Sequence, residues 1–66
     1  MQLIVNGEAR EVADRATVAD LVASLDLNPK KVAVERNLEI VPRSQYAVTS
    51  LAEGDRIEIV AFVGGG

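Results

Sequence analysis

Residues 56–66 read Arg56-Ile57-Glu58-Ile59-Val60-Ala61-Phe62-Val63-Gly64-Gly65-Gly66. The run from Arg56 to Phe62 alternates as a strand does. Ile57, Ile59 and Ala61 share one face, and Glu58, Val60 and Phe62 share the other. Three glycines follow. Lacking Cβ, glycine is conformationally permissive, so residues 64–66 are expected to form a thin, flexible tail behind a folded domain over residues 1–63. At ~3.3–3.6 Å per extended residue, residues 63–66 reach about 13 Å past the fold. That shape suits entry into a narrow channel of another protein, with one functional group at its tip.

The rest of the chain supplies the sheet that this strand needs. Gln2-Leu3-Ile4-Val5 reads as a strand, and Asn6-Gly7 is the strongest short hairpin signal because both residues tolerate positive φ. Residues 8–12 form the return strand, with Glu8, Arg10 and Glu11 marking it as an edge or half-exposed strand. Thr17 is placed as a helix N-cap, with Asp20 at N3 completing a capping box. Val18, Leu21, Val22 and Leu25 then fall on one helical face. The helix ends before Asn28-Pro29, since residues preceding proline avoid the α region. It is too short to be stable alone, so its stripe must be buried on the sheet.

Residues 32–36 read as a strand with Val32 and Val34 on one face. Asn37-Leu38 is a turn, and residues 39–41 are a short strand stopped by Pro42. Residues 42–46 read as a turn or a 3₁₀-like loop, with Tyr46 as a core plug beneath the crossover. Residues 48–51 are read as a short irregular strand, and residues 52–55 as a turn around Gly54. The order β, β, α, β, short β, β predicts an α+β sheet with the helix on one face. Its core would hold Leu3, Val5, Val18, Leu21, Val22, Leu25, Val32, Val34, Ile57 and Ile59. If the first and last strands are neighbours, Ile4, Val60 and Phe62 line the opposite face as a partner-docking patch beside the tail.

Composition narrows the function. The 66 residues contain no cysteine and no histidine. That excludes disulfides, thiol nucleophiles and the usual zinc sites. Asp14, Asp20, Asp26 and Asp55 are scattered among caps and turns, with no metal-ligand spacing. Ten acidic residues against seven basic ones give a net charge of -3, which argues against nucleic-acid binding and favours a basic partner surface. No signal peptide and no membrane-spanning stretch is expected, so the reading is a cytoplasmic protein.

The ordered motifs carry a resemblance. Asn6-Gly7, Thr17-Val18-Ala19-Asp20-Leu21, Val34-Glu35-Arg36-Asn37, Ile40-Val41-Pro42-Arg43, Gly54-Asp55-Arg56-Ile57-Glu58-Ile59 and Phe62-Val63-Gly64-Gly65-Gly66 together resemble the ThiS family, sulfur carriers of thiamin thiazole biosynthesis with a ubiquitin-like β-grasp fold. The resemblance implies a mixed sheet of about four to five strands with one helix packed on one face. It implies a carrier and not an enzyme. Gly66 would carry the reacting carboxylate, and Gly64 and Gly65 would be the tail for the partner's channel. A ThiF-like adenylyltransferase would activate that carboxylate with ATP, no cofactor being bound by the carrier itself. The resulting thiocarboxylate would give its sulfur to a ThiG-like thiazole synthase. The free carrier would be a monomer with no nucleic-acid or membrane partner. The small subunit of molybdopterin synthase, a lysine-directed protein modifier and a non-carrier β-grasp binding module are the alternatives.

Overall fold

Asn6 and Gly7 adopt φ of 50° and 82°, the two left-handed residues of a tight hairpin whose twist matches the strands it joins. They connect β1 (Gln2–Val5) to β2 (Glu8–Glu11) in antiparallel register, with Val5 opposite Glu8. The computed structural model describes residues 1–62. Thr17 caps α1 (Val18–Ser24) through a complete capping box: the Asp20 amide donates to Thr17 Oγ1 at 3.2 Å, and the Thr17 amide donates to Asp20 Oδ2 at 2.9 Å. At the other end Asp26 takes the left-handed position, φ 58°. The amides of Asp26 and Leu27 then donate to the carbonyls of Ala23 and Val22, a Schellman closure made without glycine.

A 3₁₀ turn over Pro29–Lys31 leads into β3 (Val32–Arg36), which pairs antiparallel with β4 (Glu39–Val41). A second 3₁₀ turn, Arg43–Gln45, begins the crossover to β5 (Arg56–Ala61). The strand order is β2-β1-β5-β3-β4. β5 is therefore central, parallel to β1 and antiparallel to β3. This five-stranded mixed sheet with one helix on one face is the expected β-grasp arrangement, an α+β fold.

The core lies between α1 and one face of the sheet. Leu3, Val18, Leu21, Val22, Val34 and Ile57 are its most deeply buried side chains. Tyr46 is buried as the predicted plug, its hydroxyl 3.4 Å from the Val32 carbonyl. Ala16, Val41 and Leu51 are buried in addition to the expected set, whereas Leu25 is half-buried and packs on the core margin. Residues 48–51 form no sheet strand. The crossover must pass from the edge strand β4 to the centre, and it does so over the start of α1. There Val18 donates to the Thr49 carbonyl and Leu51 to the Ala16 carbonyl, leaving a single bridge between Thr17 and Ser50. Val48 stands exposed on that path.

Candidate functional site

β5 is the strand that leads into residues 63–66, and both of its flanks hold it. Asn6, at the end of β1, donates its backbone amide to the Ile57 carbonyl at 2.8 Å. Its side-chain amide extends that ladder: Oδ1 accepts from the Ile59 amide at 2.8 Å, and Nδ2 donates to the Ile59 carbonyl at 3.2 Å. Asn37, at the end of β3, repeats the device on Arg56. Its backbone amide donates to the Arg56 carbonyl at 2.8 Å, and its Oδ1 accepts from the Arg56 amide at 2.9 Å. Past the last β5 residue, the Phe62 amide donates to the Lys31 carbonyl at 2.8 Å.

Asp55 anchors the start of β5. It is buried, and its carboxylate accepts from Arg36 Nε at 2.7 Å, the Ala52 amide at 2.8 Å and Asn37 Nδ2 at 3.0 Å. Burial pushes the carboxyl pKa up. The Asn37 amide, the Ala52 amide and the Arg36 guanidinium together outweigh that, so it lies below the ordinary aspartate value. Three donors satisfy the charge, and no buried side-chain polar atom among the described residues lacks a partner. Sequence reading placed Asp55 in a turn and missed this role. Its only local signal is the aspartate between Gly54 and the strand.

The face of the sheet away from α1 carries the residues singled out for docking. Val60 and Phe62 are 60% and 59% exposed, an apolar pair on the flank of the last strand. Ala33 lies opposite Val60. Ile4 is on the same face but in register with Arg56, so it stands at the other end of β5 and is half-buried. Ile40 on β4, 69% exposed, belongs to this face as well, since it opposes Glu35, which in turn opposes Glu58. A three-residue strand gives no alternation long enough to reveal that from sequence. Gly64, Gly65 and Gly66 lie outside the described residues.

Among the described residues no cluster of three or more metal-ligating side chains exists, and no helix is long and apolar enough to cross a membrane. A groove of about 430 Å³ between β2 and α1 is lined by Arg10, Glu11, Arg15, Asp20 and Ser24, among others. It brings together no nucleophile with a histidine or cysteine partner, because the chain has neither residue.

The same architecture and similar sequences occur in known proteins. A solved structure of a thiamine biosynthesis protein (ThiS) from Geobacter metallireducens superposes with a TM-score of 0.84 over 100% of both chains, at 35% identity. A sulfur carrier protein ThiS from Bacillus subtilis is 51% identical over 53 residues, 80% of each chain. A thiazole synthase from Paramagnetospirillum magneticum is 53% identical over all 66 residues. The present chain spans only 20% of the length of the thiazole synthases it matches. The ThiS family model matches residues 3–66, almost the whole sequence, and the chain belongs to the ThiS family.

Proposed function

We propose that this chain is a sulfur carrier of thiamine biosynthesis, acting in the cytoplasm as a co-substrate of partner enzymes and performing no catalysis itself. The observation that carries the reading is the family match running through the glycine end, together with the central place in the sheet of the strand that precedes that end in sequence. The chemistry is that of the Gly66 carboxylate. An α-carboxylate, reference pKa ~3.3–3.7, is an anion at neutral pH and a poor electrophile. A ThiF-like adenylyltransferase supplies the missing leaving group. A carboxylate oxygen attacks the α-phosphorus of ATP, pyrophosphate departs, and an acyl adenylate remains. A sulfur nucleophile then attacks the carbonyl carbon and AMP leaves. The thiocarboxylate that results donates its sulfur to a ThiG-like thiazole synthase. The full-length match within proteins named thiazole synthase supports that acceptor.

Each part of the chain has a place in this scheme. Gly64 and Gly65 pass a tight channel because no Cβ obstructs the backbone. Val60, Phe62 and Ile4 supply apolar docking surface. ATP is consumed by the partner and is not a bound cofactor of the carrier, which is a monomer when free.

Intact mass spectrometry tests the proposal, with the chain incubated with ATP, sulfide and the host's adenylyltransferase. The expected result is a mass gain matching replacement of one oxygen by sulfur, located on Gly66 and abolished by deleting Gly65 and Gly66. No gain, with the enzyme active on a control carrier, returns the chain to the class of β-grasp binding modules.

A further inference from the structure

The outer face of the sheet contains a feature that stability does not explain. Glu35 on β3 and Glu58 on β5 are directly opposite each other, on the face away from the core. Like charges at such a cross-strand pair destabilise a sheet. Neither forms an ion pair: among the described residues, the ion pairs involve only the N-terminal amine, with Glu11 and Asp14, and Arg36 with Asp55. Arg36 follows Glu35 but is turned to the opposite side, where Asp55 holds it. Arg56, two residues before Glu58 on β5, shares the acidic pair's face and is not within ion-pair distance of either carboxylate. Apolar surface frames the two carboxylates. Ile40 opposes Glu35 on one side, and the Ala33–Val60 pair lies two residues along the ladder, leading to Phe62.

An exposed apolar face with an acidic centre has a definite complement. It fits a partner surface that presents a cation between the two carboxylates and aliphatic side chains around it. A guanidinium fits better than an ammonium: its planar fork can serve two carboxylates at once, and its weak hydration lets it lie on aliphatic neighbours. A metal ion would lack a third ligand, since no such cluster exists among the described residues. A second copy of this chain, itself at net charge -3, would be repelled. We infer that Glu35 and Glu58 form the charged centre of the surface that docks the activating enzyme, receiving an arginine of that enzyme between them. This deepens the carrier reading and rests on it.

The test is ATP–pyrophosphate exchange by the host's adenylyltransferase, measured against carrier concentration at low and high salt, for the unsubstituted chain and for E35Q/E58Q. Glutamine removes the repulsion while keeping the shape, so the variant is expected to melt at the same temperature or higher. Its KM for carrier should rise roughly tenfold with kcat little changed, and the salt sensitivity of KM should flatten. An unchanged KM and salt dependence would overturn the inference, and so would a rise in KM accompanied by a fall in melting temperature. A dimer of the free chain that E35Q/E58Q dissociates would assign the face to a second copy instead. If the unsubstituted chain supports no exchange while a control carrier does, the carrier reading itself fails and takes this inference with it.

Discussion

Two turns of this molecule solve one problem in different ways. Asn6-Gly7 and Asn37-Leu38 both reverse the chain with two left-handed residues, φ 50° and 82° in the first, 51° and 72° in the second. Each follows a strand adjacent to β5, and each uses the asparagine side chain to grip β5. The first turn meets its backbone demand with glycine and has no charge behind it. The second places a leucine, 87% exposed, where L-residues rarely sit, and backs the asparagine with buried Asp55 and its partner Arg36. Both asparagines make three hydrogen bonds, but one of Asn37's goes to the buried Asp55 carboxylate, and that anchor lets the strain of Leu38 persist. A turn backed by a buried, ion-paired carboxylate can therefore carry a poor residue, where the turn without one uses glycine.

The contrast breaks if the two anchors prove equally strong. Asp55→Ala leaves Arg36, Asn37 and the Ala52 amide without their acceptor. It is expected to cost about 3 kcal/mol in urea unfolding, discounted for the partial exposure of Arg36. Asn6→Gly keeps the turn's backbone permitted and removes only the side-chain grip on Ile59, for a smaller loss of about 1–2 kcal/mol. Equal losses would mean that the buried charge adds nothing to the second anchor.

The pH dependence sharpens the same point. The folded Asp55 pKa lies below its unfolded value, so its contribution is present above the unfolded value near 3.8 and disappears as pH falls through the folded value. The stability gap between the unsubstituted chain and Asp55→Asn, measured by urea unfolding, should therefore narrow from pH 7 to pH 3. A gap independent of pH would count against the ionised network.

The smallest effects concern the second residue of each turn, and they have opposite signs. A Cβ at Gly7 meets no atom within 4 Å, so Gly7→Ala should cost only its left-handed strain, about 1 kcal/mol. Leu38→Gly should gain roughly 0.5–1 kcal/mol, because the leucine buries little. Calorimetric melting of both variants checks the pair. A destabilised Leu38→Gly would show that Leu38 makes a favourable contact worth more than its strain.

Much of this architecture was legible because its signals are local. Asn6-Gly7, the Thr17–Asp20 capping box and the alternation of residues 56–62 each act within a few positions, and each appears at its expected place. Tyr46 was legible as a lone large aromatic next to a crossover. What escaped was non-local. Asp55 looks like any turn aspartate until the fold brings Arg36 and Asn37 to it. Asp26 closes the helix in a position where glycine is the usual signal. Residues 48–51 have strand-like composition, but the path between a sheet edge and its centre dictates their course. For the candidate site, Val60 and Phe62 were readable from their own strand. Ile40 and the Glu35–Glu58 pair depend on register between strands, which no single segment encodes.

The central place of β5 also has a consequence for biosynthesis. A hydrogen bond such as that from Asn6 to Ile59 spans 53 positions of sequence, and contacts of that range form slowly. A ribosome delivers both hairpins and the helix before the strand that joins them. Until then Leu3, Val5, Val32 and Val34 have no shared sheet to pack within, and such a nascent chain is a substrate for chaperones and proteases. A copy broken off before Ile57 cannot complete the core. Cellular quality control thereby doubles as a check on completeness: a copy that survives it has been translated through its joining strand.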